Sequence, residues 1–310
     1  AGAADNICTA GVVDRRAAVM KNKYVAMVLL AGSLWGFMGF FRRTLDSMGV
    51  SAIGCIAVRC IFAAALFGIV LLVSDRQAFK IKLKDIWIFF GSGIVSLFVF
   101  GVCYFKAMDY MSLSAAAILL YTAPCFVILF SALLFKEKLT GQKLAAMLLA
   151  FAGCCLVSGI GGGTPIGLLL GLTAGVCYAL YSIFSRFALN RGYSSLTINF
   201  YSSLLATIGA TVIGGTEYLE IITACAPNLG FAFATGLVTC FLPYLLYTRG
   251  LEGLENGKAS IMASVEPVVA TIVGVVIYKE ALTAMSAAGI VLVLAAIVLL
   301  NIKLGKKQKA

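Results

Sequence analysis

The sequence predicts an all-α integral membrane protein of ten transmembrane helices, built as two inverted five-helix repeats with both termini cytoplasmic. Three observations predict it: ten long apolar runs, an internal echo at a constant spacing of 143 residues, and a lopsided distribution of basic residues between the runs.

Of the 310 residues, 62% are hydrophobic and 12% charged. A soluble domain of that composition lacks the polar side chains to cover its surface, so lipid is the fitting solvent. The apolar runs lie at 25–41, 51–73, 86–105, 112–135, 144–160, 166–184, 196–213, 231–247, 259–278 and 285–302. Each is close to the roughly 20 residues that cross a hydrocarbon layer as a helix. Helix is required because an apolar run in lipid must satisfy its backbone internally, and the alternation of an outer-membrane barrel is absent. Residues 1–24 are polar and read as a tail outside the fold, 1–19 as an extension before a natural start at Met20. They have neither the apolar core nor the cleavage site of a signal peptide. Residues 303–310 form a basic tail.

The echo is gap-free. Pro124 returns as Pro267, and Lys136-Glu137-Lys138-Leu139-Thr140 returns as Lys279-Glu280-Ala281-Leu282-Thr283. The same offset relates Ala31-Gly32 to Ala174-Gly175, Arg43 to Arg186, Phe98 to Phe241 and Tyr104 to Tyr247. The repeats occupy 25–160 and 166–302, with a linker at 161–165 containing Gly161-Gly162-Gly163. Five spans is an odd number, so consecutive copies enter the membrane from opposite sides. Inverted repeats of this kind commonly hold a substrate site between the halves near the midplane.

Orientation follows from the loops. With the N-terminus inside, the inner segments carry 19 basic residues and the outer segments 4, and setting aside Arg15 and Arg16 leaves 17. The net charge of +11 is therefore a topology signal. No basic stripe interleaved with aromatics is present, which argues against nucleic acid as a partner. The ten cysteines lie mostly within apolar runs, Cys8 and Cys225 outside them, and histidine is absent. They read as small packing residues, with no metal or other cofactor implied. The absence of a phosphate-cradling Gly-x-x-x-x-Gly-Lys-Ser/Thr motif argues against direct use of ATP by this chain.

With these residues in view, the chain resembles the EamA family of the drug/metabolite transporter superfamily over residues 25–302. The resemblance rests on Ala31-Gly32-Ser33-Leu34-Trp35-Gly36 in the first span, Arg59 in the second, and Pro124 and Pro267 in the fourth and ninth. The Phe135-Lys136-Glu137 and Tyr278-Lys279-Glu280 turns complete it. It implies a ten-helix carrier of small organic solutes, a class whose members move amino acids, metabolites, drugs or nucleotide-linked sugars. Its many bacterial members imply a multi-pass protein of the bacterial inner membrane.

Duplicated features read as scaffold, since both copies need them. Pro124 and Pro267 interrupt helical hydrogen bonding, which permits either gating or a fixed curvature around a cavity. Gly32 and Gly36, and Gly167, Gly171 and Gly175, repeat every fourth residue and read as close-packing faces. Glu137 and Glu280 read as acidic caps on the helices that follow them.

Charges that break the symmetry are more informative. The offset equates Arg59 with Ser202 in the other repeat, and Glu266 with Ala123. Counted along their spans, they lie ~12 Å and ~18 Å below the same membrane face, near enough for one aqueous cavity to present both. Intramembrane charges are costly unless paired or wet, so they are site candidates: Arg59 for a carboxylate or phosphate, Glu266 for an amine or a coupling proton. The structural alternative has Arg59 capping carbonyls or snorkelling, and Glu266 held by hydroxyls. Trp35, Tyr121, Tyr178, Tyr181 and Tyr244 are candidate aromatic lining, with Asn199 and Ser264 adding hydrogen-bonding capacity. Core packing or interfacial anchoring is the alternative, and interfacial anchoring fits Tyr104 and Tyr247, near span ends, best.

The sequence-level conclusion is a non-enzymatic secondary transporter, a permease or exporter of small organic metabolites such as amino acids. It would work by alternating access, with proton coupling open, and two complete repeats make a monomer sufficient. A membrane-embedded enzyme or structural subunit is the rival class.

Overall fold

The structure, a computed structural model, describes residues 22–111, 113–158, 164–215 and 223–302. Residues 1–19, the basic tail and the Gly161-Gly162-Gly163 linker lie outside these, as does Cys8. Among the described residues nine helices are long and apolar enough to cross a membrane. They are α1 (Asn22–Ser47), α2 (Ala52–Ser74), α3 (Leu83–Met108), α4 (Ala115–Phe135), α6 (Pro165–Asn190), α7 (Ser195–Gly214), α8 (Thr223–Gly253), α9 (Asn256–Tyr278) and α10 (Ala284–Asn301). The tenth, α5 (Gly141–Val157), is shorter but apolar. The ten-span all-α architecture is the one the sequence predicts.

Helix starts are set by local chemistry repeated at the same offset. The Ser51 hydroxyl accepts from Gly54 N–H at α2, and its counterpart Ser194 accepts from Thr197 N–H at α7. Thr140 does the same for Lys143 N–H at α5, and Thr283 for Ser286 N–H at α10. A hydroxyl at this position satisfies one of the four amides a helix start leaves open.

Among the described residues the first span is interrupted by a turn at Gly36-Phe37, and the fourth and ninth are broken at equivalent positions. The fourth divides into α4a (Leu113–Leu120) and α4b (Ala123–Phe135), and the ninth into α9a (Asn256–Ala263) and α9b (Glu266–Tyr278). Pro124 and Pro267 sit at the second position of the second halves, where a missing N–H costs least. The chain crosses each break by tight i−3 bonds, Thr122 N–H to Leu119 O and Ser264 N–H to Ile261 O. The first span of the opposite repeat packs onto each break through glycine. A Cβ at Gly175 would come within 2.8 Å of Leu119 O and Thr122 Oγ1, and one at Gly32 within 2.8 Å of Ala263 O. The glycine faces therefore pack, and what they pack against is the break itself.

Both broken spans end in a left-handed lysine, Lys136 at φ 55° and Lys279 at φ 57°. The next amide then reaches back six residues, Glu137 N–H to Ser131 O and Glu280 N–H to Gly274 O. A second shared irregularity is a π-helical stretch in α3 (Gly91–Val99) and in α8 (Leu237–Phe241).

The central core gathers Trp35, Phe67, Phe98, Tyr181, Phe241, Tyr244 and Tyr247. Large apolar residues such as Val73, Leu133 and Val212 face outward, as expected where the solvent is lipid. At the periphery α5 and α10 approach through Gly153 and Gly289, where an added Cβ would lie 2.7 and 2.6 Å from the opposing glycine's carbonyl oxygen. Gly289→Leu should therefore lower the melting midpoint of the detergent-purified protein, at a cost of about 1–3 kcal/mol for overpacking. Gly141→Ala, which meets open space, should leave it unchanged; equal effects from both would refute this account of the α5–α10 contact.

Candidate functional site

A cavity of about 600 Å³ lies between the repeats. Its mouth carries Arg42, Arg43, Asp46, Asp109, Tyr278 and Glu280, all near span ends on one membrane face. Six of the residues singled out in the sequence line it: Trp35, Arg59, Tyr121, Tyr178, Tyr244 and Glu266.

Arg59 is held from the side. Its Nε donates to Thr239 Oγ1 at 2.9 Å and its Nη2 to Thr239 O at 2.8 Å. Thr239 belongs to the π-helical stretch of α8, and its hydroxyl donates onward to Thr235 O at 2.6 Å. The guanidinium thus caps a carbonyl, the structural role weighed for it, while its edge lines the cavity. Two of its five N–H groups serve Thr239, which leaves donors for a solute anion. The equivalent of Arg59 in the other repeat, Ser202, makes a hydroxyl pair with Ser92 at 2.6 Å instead. Arginine at this position replaces a short polar clasp with a cation on the cavity wall.

Glu266 is the first residue of α9b and also lines the cavity. Among the described residues its carboxylate makes no hydrogen bond or ion pair, with Arg59 or with anything else. The carboxyl group and the guanidinium are therefore presented to the same space with no ion pair closed between them.

The floor is aromatic. Trp35 meets Tyr244 edge-on at 5.2 Å and Tyr178 at 6.1 Å between ring centroids, and Tyr181 also meets Tyr244 edge-on, at 4.8 Å. Below it lies a void of about 30 Å³ lined by Pro124, Tyr178, Tyr181, Ser182 and Tyr247 among others. Tyr181 and Asn199 lie outside the main cavity and hold the floor: the Tyr181 hydroxyl donates to Asn199 Oδ1 at 2.6 Å and contacts Thr248 Oγ1 at 2.9 Å. Ser264 caps α9a at the break, and Pro267 follows Glu266; neither lines the main cavity or the void beneath its floor.

Two expectations change. Tyr247 is only 3% exposed and pairs with Ser182 Oγ at 2.8 Å under Trp35, so it is a core residue and no interfacial anchor. Tyr104, its equivalent, lines the cavity. Glu137 and Glu280 do not cap the helices that follow them, because Thr140 and Thr283 occupy those amides. Glu137 instead accepts from Asn256 N–H at 2.8 Å and Gly257 N–H at 3.3 Å, at the start of α9a in the other repeat. Lys143 lies 3.4 Å from Glu137 and 2.8 Å from Glu255, and Arg186 donates to Asn256 Oδ1 at 2.9 Å and to Leu254 O. This network closes the face opposite the cavity mouth. Glu280 pairs with Arg43 at 2.8 Å beside the mouth, with Arg43 stacked on Tyr278. The signal for both was the repeat, which equates Arg43 with Arg186 and Glu280 with Glu137; their partners were not visible in it.

The sequence profile of the EamA-like transporter family matches residues 22–159 and again residues 165–302. The chain belongs to this family. An "uncharacterized transporter" of Archaeoglobus fulgidus is 26% identical over 279 residues, covering 88% of this chain and 96% of the relative. The uncharacterized transporter YxxF of Bacillus subtilis is 24% identical over 261 residues, covering 83% of this chain and 82% of its own. A solved crystal structure shares the fold, with a TM-score of 0.73 at 19% identity over 90% of this chain and 96% of that one. The EamA-like chain is thus a multi-pass integral membrane protein of a transporter family whose business is small solutes in a lipid bilayer.

The floor of the EamA-like cavity yields a direct test. Tyr181→Phe leaves the buried Asn199 Oδ1 without its donor and should destabilise the purified protein by about 1–3 kcal/mol. Thermal unfolding in detergent checks this, and an unchanged midpoint would show that the floor does not depend on that hydroxyl.

Proposed function

We propose that this protein is a secondary carrier of small bipolar organic solutes, such as amino acids and related metabolites, working by alternating access. The observation that carries the reading is the cavity in which Arg59 and Glu266 face a common space, unpaired with each other, above the Trp35–Tyr178–Tyr244 floor. Arg59 receives the solute's anionic group through the N–H donors left free by Thr239. Glu266 receives an ammonium group or carries the coupling proton, and Tyr121 and Tyr178 take the apolar body. The closed aromatic floor and the Glu137–Asn256 network below it support a solute path open to one side at a time.

The distribution of basic residues supports cytoplasmic termini, which makes the cavity mouth extracytoplasmic and this conformer outward-facing. A bacterial inner membrane and a working monomer fit the relatives and the presence of both repeats in one chain.

The test begins with a solute panel read by thermal shift, since a ligand at 100 times its dissociation constant stabilises the folded state by about 2.7 kcal/mol. A positive solute should then show saturable counterflow in liposomes containing only this protein. Arg59→Gln should abolish both responses, and Glu266→Gln should abolish binding or the response to an imposed proton gradient. Wild-type counterflow and gradient response in both variants, at equal reconstitution, would refute the site.

A further inference from the structure

The cavity wall beside Arg59 carries two thiols that the carrier reading does not use. Cys60 follows Arg59 on α2, and Cys240 follows Thr239 in the π-helical stretch of α8. Both line the cavity, and the Cys60 thiol is in hydrogen-bonding contact with Cys240 Sγ across the two spans. Contacts on either side hold this crossing close. A Cβ at Gly236 would lie 2.4 Å from Phe62 Cβ, and the Phe67 and Phe241 rings meet at 4.5 Å between centroids. Arg59 clasps Thr239 between them. Sulfurs in contact between helices held this closely meet the approach that a disulfide requires.

The surroundings favour Cys240 as the reacting sulfur. Its Sγ meets the Cys60 thiol and the Ser203 hydroxyl, and the Arg59 guanidinium lies beside it. A thiolate formed there accepts both hydrogen bonds next to a cation, the setting in which cysteines become nucleophiles. The scaffold common to the repeats does not require the pair. The 143-residue offset equates Cys60 with Ser203 and Cys240 with Leu97, so the two thiols break the symmetry as Arg59 and Glu266 do. Cys60 is 4% exposed and Cys240 1%, so an oxidant has to be small and has to arrive through the cavity.

We propose that Cys60 and Cys240 are a redox-modifiable pair, converted to a disulfide by hydrogen peroxide that enters the cavity. The Cys240 thiol gives its proton to water, and the thiolate attacks one peroxide oxygen. The O–O bond breaks, hydroxide leaves and takes up a proton, and Cys240 becomes a sulfenic acid. The Cys60 sulfur then attacks Cys240 Sγ, and its proton departs with the displaced hydroxide as water. Two thiols and one peroxide become one disulfide and two waters, the sulfurs losing the two electrons that the peroxide gains. The bond fastens α2 to α8 beside the Arg59 clasp. Under the outward-facing reading above, the cavity opens to the side on which disulfides persist. No step uses a solute, so the site stands or falls apart from the carrier reading.

Intact-protein mass spectrometry of the full chain in nanodiscs tests this. The reduced protein is exposed to hydrogen peroxide, cleared of it with catalase, then denatured and labelled with N-ethylmaleimide. The wild type, with ten cysteines, should fall from ten labels to eight, and reduction before labelling should restore all ten. Digestion should yield a peptide of α2 joined through Cys60 to a peptide of α8 through Cys240. Cys60→Ser removes the resolving sulfur, so it should lose one label and trap a dimedone-reactive sulfenic acid at Cys240. The other repeat already carries serine at the equivalent of Cys60, so this variant does not threaten folding. Cys240→Ser removes the reacting sulfur and should keep every remaining label. Cys103→Ser, whose thiol lines neither the cavity nor the void, should still lose two. Ten labels retained by the wild type, a pair still lost from either cavity variant, or no peptide joining Cys60 to Cys240 overturns the proposal and leaves these cysteines as packing residues.

Discussion

Hydrocarbon offers the backbone no hydrogen-bond partner, so every interruption of a spanning helix has to be satisfied by protein. The described residues contain such interruptions at Gly36-Phe37 and, at equivalent places in the two repeats, at Tyr121-Thr122 and Ser264-Val265, and much of the architecture follows from accommodating the equivalent pair. Glycine at Gly32 and Gly175 brings the first span of each repeat against the break of the other. Proline at Pro124 and Pro267 restarts the helix where a missing N–H matters least. The half-helices then have free starts within the protein, and one of these, at Asn256, is where Glu137 docks.

Inverted duplication converts that local necessity into a site. Because the repeats enclose one another, the breaks, the π-helical stretches and the first spans converge on the same central space. What fills the space is decided where the copies differ. Ser202 and Ser92 close one half with a hydroxyl pair, whereas Arg59 spans the corresponding place in the other and keeps donors toward the cavity. Energetically the faces differ as well. An exposed pair such as Arg43–Glu280 contributes roughly 0–1 kcal/mol, while a buried bond to an ionised group contributes about 1.5–3. The Glu137 network contains several of the latter, in keeping with a mouth on one face and closure on the other.

Sequence alone determined the ten spans, the five-helix repeat and the symmetry-breaking charges at Arg59 and Glu266. Each of these is written in properties that do not depend on the fold: length against hydrocarbon thickness, identity at a fixed offset, and a charge where lipid should forbid one. The hydroxyl caps at Ser51, Ser194, Thr140 and Thr283 are equally local, since their partners lie three residues on. Only the tertiary structure decided that Glu137 serves an amide 119 residues away, that Tyr247 is core, and that Tyr181 and Asn199 support the floor from beneath. The repeat marked these positions as paired but not their partners. Two equivalent sequences face unequal surroundings once one conformer is chosen, and which side closes depends on contacts between distant segments that no spacing along the chain encodes.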